Sequence, residues 1–194
     1  MSESEDPVTR ALREVPRAPF LPPALRDRAW VDAPLPIGHG QTNSQPYTVE
    51  VMLRLLDVHA GQRVLDLGAG SGWTTALLAR LVGPTGRVIG VERVESLIVP
   101  AREAVAAIDT AGVAEIRLAR PGVLGAPEDA PFDRILVSAE ARRRPPALDA
   151  QLGERGVMVI PVGREMRRLV RDGDHLRESA HGAFAFVPLI EDPP

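Results

Sequence analysis

The sequence predicts an α/β fold, an open, doubly wound and mostly parallel seven-stranded sheet with an antiparallel strand at its C-terminal end. Three observations predict it. Short apolar runs bounded by glycine and proline alternate with stretches of helical period through most of the chain. One such run, Arg63-Val64-Leu65-Asp66-Leu67, leads directly into Gly68-Ala69-Gly70-Ser71-Gly72 and then into a helical stretch, the order of a nucleotide-cradling sheet edge. Finally, 194 residues with 44% apolar side chains give room for one domain with a proper core and no more. Within that one domain, residues 1–60 read as a proline-rich arm and helix, and residues 61–194 as the core with its C-terminal strands.

Asp6-Pro7 is a helix start, cap then first turn, and the helix should run over Val8–Val15 and stop before Pro16. From Pro16 to Pro46 seven prolines make an irregular arm, with at most a short helix near Pro22–Arg28; its apolar residues argue for packing against the core. Val49, Met52, Leu53 and Leu56 form one apolar helix face, with Ser44 or Gln45 at the start and Pro46 in the first turn. Strands follow at Arg63–Leu67, at Arg87–Val91 closed by Glu92, and at Ala114–Ala119, with helices at Trp73–Val82 and Glu95–Ala107, the latter interrupted or kinked near Pro100. Pro131–Ser138 opens a fourth strand, a helix covers Ala147–Leu152, and a fifth strand covers Gly156–Val162. The terminal pair is expected at Met166–Arg171 and Ala183–Leu189.

Composition removes whole classes of chemistry. No cysteine is present, which excludes disulfide scaffolds, thiolate metal sites, iron–sulfur clusters and a cysteine nucleophile. All 23 basic residues are arginine, so a lysine Schiff base and a P-loop lysine are excluded as well. A net charge of -3 gives no general attraction to nucleic acid. No apolar run is long enough to span a membrane, and the acidic, polar residues Met1–Asp6 are the reverse of a secretory signal, so a cytoplasmic location is expected. His59, His175 and His181 have no metal-ligand spacing, and no metal site is expected.

Glycines in the turn after the first core strand let backbone approach a ligand where a side chain would collide. Glu92, closing the next strand, can accept hydrogen bonds from ribose hydroxyls. The ligand is narrowed by what is missing: Trp73 replaces the third glycine of the dinucleotide fingerprint, and no G-K-[ST] follows. Asp66 suits a cationic amino-acid moiety better than a pyrophosphate, or it caps the strand end. The run Val64–Gly72 resembles motif I of the class I S-adenosylmethionine-dependent methyltransferases.

Other stretches are more specific. Asp32-Ala33-Pro34-Leu35-Pro36-Ile37-Gly38-His39-Gly40-Gln41-Thr42-Asn43-Ser44-Gln45-Pro46-Tyr47, Ala130–Ile135, Pro145–Leu148, Val159–Gly163, Val15-Pro16-Arg17, Phe20-Leu21-Pro22 and Phe186–Leu189 occur in the order seen in protein-L-isoaspartate O-methyltransferases, which the chain resembles from about Val8 to Ile190. The resemblance implies methyl transfer from S-adenosyl-L-methionine to the free carboxylate of isoaspartyl residues in damaged proteins or peptides. It implies cofactor contacts from Asp66, Gly68, Ala69, Gly70, Ser71, Gly72, Glu92, Arg93, Gly122 and Val123. It also implies an active-site Ser44 aided by Thr42, and substrate contacts from Ile37, Gly38 and Gln41. A monomer is expected. A carboxylate is already ionised near neutral pH, so the reaction needs positioning and no general base. Ser44, two residues before Pro46, equally has the form of a helix cap.

The chain departs from the family pattern in four places. Arg120-Pro121-Gly122 stands where an Asp-Gly step is usual; Asn43 replaces an isoleucine before Ser44; Ala139-Glu140-Ala141-Arg142 alters an alanine-rich loop; and the segment ahead of Val8 is about a helix shorter. These positions leave open a diverged carboxyl methyltransferase, acting on one peptide aspartate or a small carboxylic acid, and a non-catalytic member of the fold. Arg142-Arg143-Arg144 reads either as a solvated basic loop or as a docking point for an acidic substrate face.

Overall fold

A computed structural model describes residues 5–109 and 112–191. α1 (Pro7–Glu14) is capped by Asp6, whose carboxylate accepts from the Thr9 backbone N–H at 2.9 Å. Two 3₁₀ turns, Ala18–Phe20 and Pro23–Arg28, carry the arm to β1 (Leu35–Gly38) and β2 (Gln41–Asn43). Then come α2 (Pro46–Leu56), β3 (Arg63–Leu67), α3 (Trp73–Val82), β4 (Arg87–Glu92), α4 (Glu95–Ile108) and β5 (Ala114–Leu118). β6 (Phe132–Val137), α5 (Pro146–Asp149), β7 (Leu152–Val162), β8 (Glu165–Asp172) and β9 (His175–Ala183) complete the order.

The seven-stranded sheet has the order β5-β4-β3-β6-β7-β8-β9. β3 to β7 are mutually parallel, β8 runs against β7, and β9 runs against β8. The chain winds outward from β3 to β5, then returns to lay β6 on the other side of β3. That reversal opens a crevice at the carboxyl ends of β3 and β6, where open α/β sheets bind ligands.

Alternation along the strands sends side chains to two cores. Val64, Val88, Ile116, Leu136 and Val159 pack under Leu53 and Leu56 of α2, Leu77 and Leu78 of α3 and Ala101 of α4. Leu65, Leu67, Ile89, Val91, Ile135, Val137 and Met158 face the other way, onto Leu148 of α5 and Leu169 of β8. Strands buried on both faces read as continuous apolar runs, which is why β3, β4 and β6 stand out in the sequence. A small third cluster, Leu21, Leu35, Ile37 and Leu97, seats the arm against the start of α4.

Four expectations need correction. The arm holds a β-hairpin as well as short helical turns: β1 and β2 pair antiparallel, and His39 and Gly40 turn between them with φ of 54° and 72°. Its prolines are tolerated because this two-stranded ribbon lies outside the main sheet and leaves edges unpaired. The last strand is His175–Ala183, upstream of the expected Ala183–Leu189, because Gly173-Asp174 reverses the chain directly after β8. α5 ends at Asp149, and Leu152 already belongs to β7. α4 continues through Pro100 without a break.

Candidate active site

A cleft of about 270 Å³ opens at the β3/β6 crevice. Its floor is the turn after β3. Gly68, at φ 84°, lies against the backbone of Ser138, which follows β6; a β-carbon on Gly68 would sit 3.6 Å from the Ser138 carbonyl carbon. The turn is fixed from beside. Glu92 at the end of β4 accepts from the Gly70 N–H through one carboxylate oxygen and from the Val94 N–H through the other, both at 2.8 Å. Each oxygen keeps a second lone pair for a ligand hydroxyl.

The walls come from distant parts of the chain. Gln41 and Thr42 of the hairpin close one side; Arg93, Arg120, Gly122 and Val123 lie beyond β4 and β5; and Val187–Glu191 crosses another side. That last segment is held on the backbone of Glu140, whose N–H donates to Val187 O at 2.8 Å and whose carbonyl accepts from Leu189 N at 2.7 Å.

A smaller recess of about 30 Å³ adjoins the cleft, lined in part by Asn43, Ser44, Ala69, Ser71 and Trp73. Thr42, Gly68, Gly70 and Ser138 line both spaces. Among the described residues, the Ser138 hydroxyl is buried with no hydrogen-bond partner. Ser44 is not the cap of α2: that position is Gln45, with no side-chain cap bond, so the Ser44 hydroxyl is left for the recess.

Arg17 holds the recess from behind. It is 5% exposed, and its guanidinium donates to Asn43 Oδ1 at 2.6 Å and to the carbonyls of Val31, Ala33, Asn43 and Ser44 at 2.9–3.0 Å. Its charge also lies 5.6 Å from the Trp73 ring centroid, within cation–π range. Burial pulls its pKa down to about 10, so it remains a cation at neutral pH. Asn43 passes the link on: its Nδ2 donates to Ser71 Oγ at 3.0 Å, tying the hairpin to the glycine turn. Trp73 serves the arm too, donating from Nε1 to Val15 O at 3.1 Å.

Of the sequence-predicted residues, Gln41, Thr42, Gly68, Gly70, Glu92, Arg93, Gly122 and Val123 line the cleft, and Ser44, Ala69 and Ser71 line the recess. Ile37 packs over Gly70, with its Cδ1 3.3 Å from where a β-carbon would be. Gly38 ends β1, just before the hairpin turn, outside both spaces. Two expected cofactor residues are set behind the turn. Asp66 is fully buried and accepts from the hydroxyls of Thr74 (2.8 Å) and Thr75 (2.7 Å), on the sheet face opposite Leu65 and Leu67. Burial pushes its carboxyl up to about 6, with the two threonines drawing it down and the Glu92 charge adding to the rise. Gly72 gives φ 89° at the α3 cap, and a β-carbon there would meet Val105 Cγ2 at 2.8 Å. Sequence reasoning missed Ser138 and the Val187–Glu191 wall; Phe186-Val187-Pro188-Leu189 was a signal for the latter, read as a strand.

The seven-stranded, mostly parallel sheet has the fold of a class I S-adenosylmethionine-dependent methyltransferase. The model of one family within that class, protein-L-isoaspartate(D-aspartate) O-methyltransferase, matches residues 2–193, and the chain belongs to that family. A protein-L-isoaspartate O-methyltransferase of Methanopyrus kandleri is 48% identical over 94% of this chain and 83% of its own length. One from Aeropyrum pernix is 46% identical over 94% and 72%. Among solved structures, one described as a protein-L-isoaspartate O-methyltransferase beta-aspartate methyltransferase from Plasmodium falciparum, in complex with S-adenosyl-L-homocysteine, superposes with a TM-score of 0.87 at 25% identity, covering 98% of this chain and 93% of that one.

Proposed function

We propose that this chain transfers a methyl group from S-adenosyl-L-methionine to the free carboxylate of L-isoaspartyl residues in damaged proteins or peptides. The observation that carries the reading is the shared wall. Thr42, Gly68, Gly70 and Ser138 line both the large cleft and the small recess, so a donor in the first and a carboxylate in the second would meet there.

The residues present fit the cofactor. Glu92 has spare lone pairs for ribose hydroxyls, Gly68 and Gly70 leave backbone bare, and the unpartnered Ser138 hydroxyl awaits a polar ligand. Glu92, Gly68, Gly70, Arg93, Gly122 and Val123 would hold it, while Asp66, Ala69, Ser71 and Gly72 shape the turn that does so. The bound cofactor supplies an electrophilic methyl group on a sulfonium. The rest is positioning. Ser44 and Thr42 donate to the acceptor carboxylate and fix its line of approach; Gln41 contacts the acceptor main chain; Ile37 and Gly38 shape the arm that presents them. The buried Arg17 cation behind Ser44 and Asn43 favours an anion in the recess. The organisation that accompanies this reading is one domain, residues 1–60 recognising substrate and 61–194 binding cofactor. It acts as a cytoplasmic monomer without nucleic acid or membrane; among the described residues no helix is long and apolar enough to cross a bilayer.

Label from radioactive S-adenosylmethionine should enter an isoaspartyl peptide and not its aspartyl twin. Equal labelling, or label only on another carboxylic acid, would favour the diverged reading that Asn43 and Arg120-Pro121 leave open. No turnover and no cofactor binding by calorimetry would leave only the fold.

A further inference from the structure

We propose that Asn43 is a positioning residue: bonded to the buried Arg17 cation, it turns the Ser71 hydroxyl proton toward the Ser44 recess, where Ser71 donates to a carboxylate of the reactants; this rests on the function proposed above.

The direction of each bond follows from what its partners can do. An arginine side chain has donors and no acceptor. Arg17 Nε therefore faces the oxygen of the Asn43 amide, at 2.6 Å. A flipped amide would set two donors against each other, so its orientation is fixed. The amide nitrogen is left facing Ser71 Oγ at 3.0 Å, and toward it that nitrogen can only donate. Ser71 Oγ is thus the acceptor in that bond, and its single proton must point elsewhere. Among the described residues no group accepts it. The open side of Ser71 is the recess it lines with Asn43 and Ser44.

The donors run one way, from a buried cation through an amide to a hydroxyl. Each bond polarises the next, which strengthens the last donor toward an anion. Both reactants offer a carboxylate: the acceptor by definition, and S-adenosylmethionine at its amino-acid end. The relay is held rigidly. Asn43 is 5% exposed, and the Arg17 guanidinium that orients its side chain also binds the backbone carbonyls of Asn43 and Ser44. Asn43 acts through Ser71, and its replacement is felt in the direction of one proton.

Reversing that direction is the test. Asn43→Asp keeps the shape and the Arg17 contact but puts an acceptor where the amide nitrogen was. Ser71 must then donate to it, and the proton leaves the recess. Two measurements distinguish the carboxylates: steady-state kinetics on an isoaspartyl hexapeptide at saturating S-adenosylmethionine, and calorimetric binding of S-adenosylhomocysteine. Asn43→Asp and Ser71→Ala should each lower kcat/KM for the peptide about tenfold if the acceptor carboxylate takes the bond. If the cofactor's carboxylate takes it, each should weaken S-adenosylhomocysteine about tenfold. The urea midpoint of Asn43→Asp should not fall, because both contacts persist and Arg17 gains an opposite charge. A role confined to holding the fold predicts wild-type activity from that variant. In a Ser71→Ala background Asn43→Asp should cost less than about threefold more, since no proton is left to turn. An equal cost in both backgrounds would show charge repulsion alone and overturn the relay. So would wild-type kinetics and binding in either single variant. A wild-type protein that methylates no isoaspartyl peptide would remove the functional reading, and the relay would then stand or fall on the calorimetry.

Discussion

Ser44 and Asp66 show how a residue's job depends on what else claims its side chain. A serine just before a proline-led helix has the form of a cap, but Gln45 occupies that place, so removing the Ser44 hydroxyl loses no helix bond. Ser44→Ala is therefore expected to lower the rate on an isoaspartyl peptide at least about tenfold while leaving the urea midpoint unchanged. Asp66 is the reverse case, a motif residue drawn away from the ligand by two threonine hydroxyls. Its carboxyl rises from 3.8 to about 6 on folding, mainly through burial. Between those values the folded chain keeps a proton that the unfolded chain releases, so stability falls as pH rises through the window and is level above it. The loss amounts to roughly 3 kcal/mol. Asp66→Asn keeps an acceptor for the threonines and has nothing to ionise. Its stability relative to wild type should climb by that amount between about pH 4 and pH 6 in urea titrations and then stay constant. The sequence marks Asp66 as special, but which face of β3 it takes depends on strand register, and that is settled by tertiary pairing.

At the scale of elements, what was legible followed burial. Trp73–Val82 has the bounds read from the sequence because its start and stop are both glycines, Gly72 and Gly83. β3, β4 and β6 were equally plain, being apolar on both faces. The hairpin β1–β2 was not, since its prolines suppress strand signals and its partner is only three residues long. β9 escaped because it is an edge strand, almost wholly exposed and polar, while the apolar run after it makes only an isolated bridge, Pro188 to Glu140. The cleft glycines were legible and their division of labour was not. Gly72→Ala should destabilise the fold by roughly 2–4 kcal/mol, from positive-φ strain and the collision with Val105 between α3 and α4. Urea denaturation measures this, and a shift below 1 kcal/mol would show that α4 yields more easily than the contact suggests.

For the molecule as a whole, the cleft is a meeting of early and late chain. Gln41 and Thr42 face a wall made of Val187–Glu191, which is held on Glu140 by two backbone hydrogen bonds. Deleting residues 187–191 is expected to weaken S-adenosylhomocysteine binding by at least tenfold in calorimetry. Cooperative unfolding should persist within about 2 kcal/mol of wild type, because both cores lie mostly elsewhere. The Arg17–Asn43–Ser71 link has a consequence of another kind. Asn43 is the only asparagine in the chain, and both ends of its amide are engaged inside the protein. Spontaneous deamidation needs that side chain to swing onto the backbone nitrogen of the next residue, a motion these bonds oppose. Ageing should instead begin at Asp172-Gly173, in the exposed β8–β9 turn, where glycine leaves the backbone nitrogen unshielded. Peptide mapping of warmed protein should find isoaspartate there first, with residue 43 intact. A protein that mends this lesson of time in others would then carry its own clock at the far edge of the sheet, away from its working parts.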